Sequence, residues 1–338
     1  MIKKITPAPD LISIAPMLDW TDKHFRYFMR LITRRAMLYT EMVACPALIL
    51  GDRQKLLDYN AQEHPITLQV GGSDAKFMGD CASFAKDYGY DAVNVNAGCP
   101  SSRVQAGKFG AILMKTPELV ADIVANMKAR TKIPVTVKTR ISLVGADGDG
   151  FDDLFKFANL VKQAGCDGLI VHARQAKLNI SPKDNRAKLP LNYETVYKLK
   201  KSFPDMFISI NGNVMSYQDI YKHLGVDYVP NAPLSATIEL PPKKRVDGVM
   251  IGRWAYGQPY ALAQIDSQFF GDTHTVLSRP QILESMIPYL EKYDGNIRNV
   301  THHMMGLYHG MPNAKSYKQM LMSGDLTQFK EFVKHQIL

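Results

Sequence analysis

Short apolar runs rich in β-branched residues recur along the chain, and longer stretches with apolar positions at helical spacing separate them. A continuous apolar run without polar alternation is typical of a parallel strand that is covered on both faces. Eight such runs predict strands at residues 11–16, 37–40, 66–70, 92–96, 135–139, 168–172, 207–211 and 248–251. The helices predicted between them include residues 75–88, 117–129, 151–164 and 193–202.

Eight β-α units within about 250 residues favour an α/β fold of the closed (β/α)8 TIM-barrel type over an open sheet. An open doubly wound sheet carries a Gly-rich turn after its first strand, whereas residues 15–20 contain no glycine. We therefore predict a barrel domain over residues 1–270. A Pro-rich stretch at 225–246 interrupts the alternation and is predicted as an inserted loop before the eighth strand, on the face away from the chemistry.

The pattern becomes purely helical after about Gly271. Residues 279–293 and 299–309 have helical character, and a turn at 310–312 leads into a last helical stretch. The sequence therefore predicts a small all-helical C-terminal domain over residues 271–338. Two helix starts have recognisable chemistry: Ser73 and Asp74 precede one, and Thr116 followed by Pro117 precedes another.

Composition narrows the class of protein. The 338 residues are 46% hydrophobic and 22% charged, as in globular proteins, with no apolar stretch long enough for a membrane span or a signal peptide. The four cysteines have neither C-x-x-C spacing nor a histidine at ligand spacing, so we expect no disulfide framework and no metal. We expect a cytoplasmic monomer. A net charge of +9 favours an anionic partner, nucleic acid first, although solvated lysines explain most charge runs.

Polar residues end many of the predicted strands, and in a barrel these ends face the active site. Lys138 ends an apolar strand, where a buried ammonium group needs a partner, and His172 faces the same side. Any one such residue is more often a structural hydrogen-bonding group than a functional one. The other strand-end polar residues are Gln69, Asn94, Asn96, Arg140 and Asn211.

Two glycine-containing segments indicate a phosphate site. Asn211-Gly212-Asn213 follows the seventh strand and Gly252-Arg253 follows the eighth, where barrels commonly bind phosphate. Glycine lets backbone N–H groups approach an anion, and arginine supplies a fork of donors. We therefore expect a phosphorylated cofactor or substrate.

Cys99 lies at an abrupt strand end. The apolar run 91–96 stops at Gly98-Cys99-Pro100, and proline restricts the residue before it to an extended conformation. This pattern predicts a loop cysteine facing the barrel cavity. On spacing alone the alternative stays open, because most free cysteines are buried as small hydrophobic residues.

The motifs together resemble tRNA-dihydrouridine synthases, in matching order from about Ile14 to Met320. The shared motifs lie at residues 15–22, 96–101, 138–140, 172–174, 211–212 and 252–253. Residues 181–186 and 301–310 resemble the DusA-type subfamily, which modifies uridines 20 and 20a of the D-loop. The resemblance implies FMN in the barrel, NADPH as the reductant, and a helical C-terminal domain that helps to hold tRNA.

The resemblance also implies roles for individual residues, with Cys99 as the catalytic acid. The residues implied in FMN binding are Pro16, Met17, Leu18, Gln69, Lys138, His172, Asn211, Gly212, Asn213, Gly252 and Arg253. Those implied in tRNA binding are Asn96, Lys183, Arg186, Asn299 and His302. Two positions depart from the family pattern: His302 stands where arginine is usual, and Asn213 where glycine is usual.

In the implied mechanism, reduced FMN transfers a hydride to C6 of the target uracil, and Cys99 gives a proton to C5. An ordinary thiol, with a pKa of ~8.5, is mostly protonated at neutral pH and can act as that acid. We therefore expect Cys99 to avoid the cationic surroundings that promote a thiolate. Lys138 would oppose the negative charge of the reduced flavin. The uracil must leave its stack, at a cost of a few kcal/mol.

Two other functions compete with this interpretation. One is an FMN barrel oxidoreductase that acts on a small enone or pyrimidine, which would need neither Cys99 followed by Pro100 nor the motif at 183–186. The other is a tRNA-binding or chaperone module on a barrel without activity. Comparable turnover of tRNA and free uracil would favour the small-molecule oxidoreductase. Absence of flavin absorption in the purified protein would favour the binding module.

Overall fold

Eight parallel strands close into a barrel in the computed structural model, which describes residues 9–146, 148–227, 245–293 and 297–337. Each strand pairs with the next along the chain, and the last pairs with the first. The predicted barrel is confirmed, and every predicted strand overlaps a strand. The strands are β1 (Ile12–Ile14), β2 (Met37–Ala44), β3 (Ile66–Gly71), β4 (Ala92–Ala97), β5 (Val135–Arg140), β6 (Gly168–His172), β7 (Phe207–Asn211) and β8 (Gly248–Ile251).

Helices surround the barrel and form the C-terminal part. Around the barrel they are α1 (Lys23–Arg30), α2 (Cys45–Leu50), α3 (Arg53–Leu56), α4 (Ala75–Asp87), α5 (Ser102–Ala106), α6 (Pro117–Arg130), α7 (Phe151–Gln163), α8 (Pro182–Lys188), α9 (Tyr193–Ser202), α10 (Tyr217–Leu224), α11 (Arg253–Gly257) and α12 (Ile265–Phe270). The C-terminal part contains α13 (Arg279–Leu290), α14 (Arg298–Thr301), α15 (Ala314–Ser323) and α16 (Leu326–Ile337).

The register of the barrel places polar side chains side by side at the carboxyl ends of the strands. Asn96 pairs with Lys138 between β4 and β5, Arg140 with His172 between β5 and β6, and His172 with Asn211 between β6 and β7. Side chains alternate along a strand, so Lys138 and Arg140 share one face of β5. We call these strand ends and the loops that follow them the barrel mouth.

The two predicted helix starts differ in their chemistry. Asp74 caps α4, because its carboxylate accepts the backbone N–H of Phe77 at 2.9 Å. Thr116 stands at the N-cap of α6 but makes no side-chain cap bond; its hydroxyl lies 3.5 Å from the carbonyl oxygen of Leu113. The predicted N-cap position of Thr116 is therefore confirmed, although its side chain makes no cap bond. Pro117 at the first turn still favours this start, since its fixed φ suits a helix.

The C-terminal part is helical as predicted, but its helices are shorter than the pattern indicated. The helix predicted over 279–293 ends at Leu290. The helix predicted over 299–309 is only α14 followed by a 3-10 turn, His302–Met304. The last stretch divides into α15 and α16 at Gly324, whose positive φ of 70° ends α15.

The C-terminal part packs on the barrel through aromatic and polar contacts at α1. Tyr27 stacks on Tyr289 of α13 with ring centroids 3.9 Å apart, and His24 Nδ1 lies 2.8 Å from Tyr289 Oη. His24 also meets Tyr293, which follows α13, edge to face with ring centroids 4.8 Å apart. Side chains of the first barrel helix therefore anchor the helical part.

Two features of the predicted organisation remain predictions. The domain boundary at residue 271 is not fixed by the contacts just described. Most of the predicted inserted loop, residues 228–244, lies outside the described residues. Among the helices that are described, none is both long and apolar enough to cross a membrane.

Candidate active site

Three buried amide side chains connect β3 and β4 below the barrel mouth. Gln69 Nε2 donates to Asn94 Oδ1 at 2.8 Å, and Asn96 Nδ2 donates to Gln69 Oε1 at 2.9 Å. Asn94 Nδ2 in turn donates to Thr136 Oγ1 at 2.8 Å on β5. Because buried amides are costly unless hydrogen-bonded, this chain of bonds fixes the orientation of all three side chains.

The amide chain ends at the loop that carries Cys99. Asn96 Oδ1 accepts the backbone N–H of Gly98 at 3.2 Å and that of Cys99 at 3.0 Å. Arg140 Nε donates to the carbonyl oxygen of Gly98 at 3.0 Å from the opposite side. The backbone of Cys99 is therefore held from two strands, and its side chain is partly buried in a loop at the end of β4. The predicted loop position of this cysteine at the end of a strand is confirmed, and its orientation toward the cavity stays a prediction.

Lys138 lies on the adjacent strand β5, where it pairs with Asn96. Its Nζ donates to Asn211 Oδ1 at 3.2 Å, and Asn211 Nδ2 donates to the carbonyl oxygen of Met250 at 2.9 Å. Burial, and next the neighbouring Arg140 guanidinium, lower the pKa of Lys138 to about 8. A lysine whose pKa is lowered toward neutral pH in this way is typical of a functional site rather than of the protein surface.

The surroundings of Cys99 are cationic. A negative charge on Cys99 would raise the pKa of Lys138, Arg140 and Arg186, so the sulfur lies within electrostatic reach of all three. This differs from the neutral environment expected for a thiol that acts as a proton donor, since nearby cations favour a thiolate. An anionic ligand bound at the same cations would offset their charge.

Five cations gather at the mouth, and we call Lys138, Arg140, Arg174, Arg186 and Arg253 the cationic cluster. Burial lowers the pKa of Arg140 to about 10; Cys99 opposes this shift, and Arg174 and Arg186 add to it. Burial and Arg253 lower the pKa of Arg174 and of Arg186. Burial followed by four of these cations holds the pKa of His172 well below its usual range, so its imidazole is neutral. Like charges held this close together indicate a site for an anion.

The loop after β7 contains two consecutive residues with positive φ, Gly212 and Asn213. Gly212 has φ of 130°, and a side-chain carbon there would lie 2.9 Å from Leu191 Cδ2 and 3.1 Å from the His172 ring. Tyr193 Oη donates to the carbonyl oxygen of Gly212 at 2.7 Å. Asn213 has φ of 54°, a left-handed conformation that asparagine tolerates better than most residues. The unusual asparagine therefore keeps the conformation that a glycine would provide.

The loops after β1 and β8 adjoin at the mouth. A side-chain carbon at Gly252 would lie 3.8 Å from Met17 Sδ. Met17 is fixed by Thr21, whose Oγ1 accepts the Met17 N–H at 2.9 Å. Pro16 is partly buried, whereas Leu18 is 64% exposed and Arg253, the first residue of α11, is exposed. The structure thus brings Met17, predicted to line the flavin, beside Gly252, predicted to hold its phosphate.

The predicted tRNA contacts fall into two groups. Lys183 and Arg186 lie on α8, exposed and partly buried respectively. The buried Asn185 between them anchors that helix, since its Oδ1 accepts the Lys177 N–H at 2.9 Å and its Nδ2 donates to the Lys177 carbonyl oxygen at 2.9 Å. Arg186 belongs to the cationic cluster, and Asn96 lies beneath Cys99.

Asn299 and His302 lie instead in the helical part. Asn299 is exposed on α14, and His302 Nδ1 lies 2.9 Å from the carbonyl oxygen of Arg298. These two residues are not joined to the mouth by any contact described above. A substrate that touched both groups would have to extend from the mouth onto the C-terminal helices.

Sequence reasoning gave no site role to two residues that the structure places here. Arg174 belongs to the cationic cluster, and Tyr193 supports Gly212. Arg140, also in the cluster, was among the strand-end polar residues expected to face the active site. Arg174 and Tyr193 follow β6 in loop and helix, where no periodic signal marks a side chain as facing the mouth. In the described ranges no three His, Cys, Asp or Glu residues form a group that could hold a metal ion.

Comparisons with known proteins agree with the motifs. The family model described as dihydrouridine synthase (Dus) matches residues 13–229 and 238–337. The tRNA-dihydrouridine(20/20a) synthase of Synechocystis sp. is 43% identical over 319 residues, which cover 93% of this chain and 89% of the relative. The enzymes of the same name from Shewanella oneidensis and Escherichia coli are 46% and 43% identical, over 91% of this chain and 87% and 88% of their own lengths.

The solved structures include a more distant likeness. A complex of 2-naphthoyl-CoA reductase with 2-naphthoyl-CoA superposes with a TM-score of 0.57 at 11% identity, over 75% of this chain and 49% of that one. At this level of identity the likeness concerns the barrel fold alone.

Proposed function

This chain belongs to the dihydrouridine synthase (Dus) family, and from that premise we propose that it reduces uridines 20 and 20a of tRNA to 5,6-dihydrouridine, with FMN in the barrel and NADPH as electron donor. The observation that carries the proposal is the barrel mouth, where Cys99, Lys138 and a cluster of arginines converge. The relatives named for this reaction match the chain through both the barrel and the C-terminal helices.

The donor chemistry of the mouth fits a flavin phosphate. Arg174 is buried, and its Nε has no hydrogen-bond partner among the described residues, so one guanidinium donor remains for a ligand. Gly212 and Asn213 both have positive φ, which turns the backbone at the point where barrels bind phosphate. Gly252 and Arg253 adjoin Met17 of the loop after β1. A residue proposed for the phosphate, Gly252, therefore lies beside Met17, which is proposed to line the flavin.

The residues of this chain divide the chemistry between them. A bound reduced flavin supplies the hydride that C6 of uracil accepts. Lys138 would help to hold a bound flavin and would supply a positive charge that stabilises negative charge developing on it. Cys99 then transfers its thiol proton to C5, which completes the addition of two hydrogens across the C5–C6 bond. Asn96 keeps the Cys99 backbone in place through the 3.0 Å bond to its N–H.

The substrate-binding part of the proposal follows the charge. Lys183 and Arg186 on α8 meet the phosphates or bases beside the target uridine, and the mouth cations strengthen that attraction. Asn299 and His302 extend the surface onto the helices over 271–338, while residues 1–270 hold the flavin. We further propose that the protein acts as a cytoplasmic monomer, in keeping with four free thiols.

The deciding experiment compares substrates on the purified protein. With NADPH we expect a yellow, flavin-containing protein to form dihydrouridine in tRNA that lacks this modification, and to leave free uracil unreacted. Mapping of dihydrouridine in tRNA from cells without this gene should show loss at positions 20 and 20a. Comparable turnover of tRNA and free uracil would favour the small-molecule oxidoreductase instead. A colourless protein that binds tRNA without turnover would favour the binding module.

A further inference from the structure

His303 lies where the helical C-terminal part meets two different segments of the barrel mouth. The side chain is only 1% exposed. Its Nε2 lies 3.1 Å from Asp22 Oδ1, and its Nδ1 lies 3.3 Å from Tyr256 Oη. The contact with Asp22 is a close approach of two polar atoms rather than an aligned hydrogen bond, because no acceptor among the described residues lies along the N–H direction of Nε2. One imidazole thus bridges two parts of the barrel that are far apart in sequence.

The two bridged segments are those assigned to the flavin. Asp22 ends the loop after β1 that carries Pro16, Met17 and Leu18. Tyr256 lies on α11, which begins with Arg253.

The same two segments also touch each other directly. Trp20 stacks on Tyr256 with ring centroids 4.4 Å apart and an angle of 12° between the rings. The loop for the ring and the helix for the phosphate are therefore joined by one aromatic stack, with His303 in contact with its far side.

The segment around His303 is pressed closely against α11. A side-chain carbon at Gly306 would lie 2.6 Å from the Gly257 carbonyl oxygen and 2.7 Å from Pro259 Cδ, which leaves room for glycine alone. Gln258 Nε2 lies 3.2 Å from His309 Nε2 on the same stretch. A shift of the C-terminal segment would therefore move the end of α11.

Asp22 is also the N-cap residue of α1. The same Oδ1 atom accepts the backbone N–H groups of His24 and Phe25 at 2.9 Å each, so Asp22 caps α1. Burial would raise the pKa of Asp22, but His303 and these backbone donors bring it below its usual value, and the carboxylate stays ionised at neutral pH. The loop after β1 is therefore held at its end by α1 and by the C-terminal part together.

We infer that His303 is a positioning residue for the flavin: by holding Asp22 and Tyr256 it fixes the distance between the loop after β1 and helix α11. The inference rests on the proposed function, since it takes these two segments as the walls of the flavin site. It gives the helical part a role in cofactor binding that is separate from any contact with RNA. Among the described residues, the polar contacts of His303 are with Asp22 and Tyr256, and neither of these is a residue predicted to bind the flavin itself.

The test measures flavin affinity rather than turnover. His303→Leu removes both polar contacts at similar volume, and His303→Gln keeps an amide nitrogen near the position of Nε2. Flavin-free wild-type and variant proteins are titrated with FMN and with riboflavin, following flavin fluorescence, well below the temperature of unfolding. His335→Leu, on the exposed face of α16, is the matched control.

We expect His303→Leu to raise the Kd for FMN about tenfold, which corresponds to about 1.4 kcal/mol, and the Kd for riboflavin less, because Arg253 acts on the phosphate. His303→Gln should recover part of the affinity, and His335→Leu should match the wild type. A lowered Tm with an unchanged Kd for FMN would overturn the inference, since that is the behaviour of a purely structural residue.

Three outcomes complete the test. If His303→Leu does not fold, Tyr256→Phe decides, because it removes the 3.3 Å contact with His303 and keeps the stack on Trp20; an FMN affinity equal to that of the wild type then overturns the inference. A wild-type protein that binds no flavin would overturn the proposed function and this inference with it. Wild-type binding without an effect of His303 overturns the inference alone.

Discussion

The barrel mouth and the C-terminal helices differ sharply in how they use charge. Residues 92–117 and 168–183 near the mouth contain no Asp or Glu, although they include Arg103, Lys108, Arg174 and Lys177. Residues 271–338 carry seven Lys or Arg against six Asp or Glu. These two segments of the mouth therefore carry positive charge without any carboxylate of their own, while the helical part is nearly neutral.

The two regions also differ in what stabilises them. Hydrogen-bonded amides hold the side chains of the mouth in place. Its cations repel one another, and an anionic ligand would stabilise them. The helical part depends on aromatic packing such as Tyr27 on Tyr289. The comparison indicates that binding and chemistry reside at the mouth, and that the helices support and extend it.

The largest expected effect concerns the thiol at the mouth. Cys99→Ala should lower the rate of dihydrouridine formation about 10²- to 10⁴-fold, the range for loss of a positioned general acid, while FMN and tRNA still bind. The measurement is single-turnover oxidation of the reduced enzyme by tRNA. Cys166→Ala is the matched control, because that thiol is buried next to β6 and donates to the Gly168 carbonyl oxygen. Equal rates for the two variants would remove Cys99 from the chemistry.

A second, smaller effect concerns the charge of Lys138. With a pKa of about 8, its ammonium group is charged at pH 7 and loses its charge as the pH rises through 8. Replacement by methionine should slow flavin reduction by NADPH about 10- to 100-fold at pH 7. Stopped-flow bleaching should also show a decline above pH 8 in the wild type that the variant lacks. The same decline in Lys138→Met would assign that titration to another group.

The smallest effect compares single cations of the two regions. Arg186→Ala should weaken tRNA binding about fivefold and reduce the slope of log Kd against log salt by about 1, as expected for one lost phosphate contact. Lys318→Ala, on the exposed face of α15, should change the affinity less than about twofold by the same reasoning. Filter binding at several salt concentrations measures both. A larger loss for Lys318 would mean that the helices carry the electrostatic attraction.

Sequence patterns reached the strands and several site residues for a clear physical reason. A parallel strand covered on both faces must be apolar, so a polar residue at its end, such as Lys138 or Asn211, stands out. Gly212 and Gly252 were visible because they follow the seventh and eighth strands. The roles assigned to Cys99, Lys183, Arg186, Asn299 and His302 came from the family resemblance, and the experiments above test the first and third of these.

The helix boundaries in the C-terminal part were less accessible to sequence reasoning. The stretch 299–309 has helical composition, yet it becomes α14 and a 3-10 turn because Gly306 packs against the Gly257 backbone. That contact joins residues 49 positions apart, so no local propensity reveals it. Thr116 is likewise of a residue type that often caps a helix through its side chain, but its hydroxyl is directed toward the Leu113 carbonyl oxygen instead.

The sequence by itself determined the barrel, the order of its strands and the family, because burial on both faces and short glycine motifs leave local signals. The tertiary structure alone decided which distant side chains meet. It placed Arg174 and Arg186 with Cys99, and it turned His303 inward against Asp22 and Tyr256. Barrel closure and helix docking set these contacts, and both depend on the packing of the whole chain rather than on any short segment.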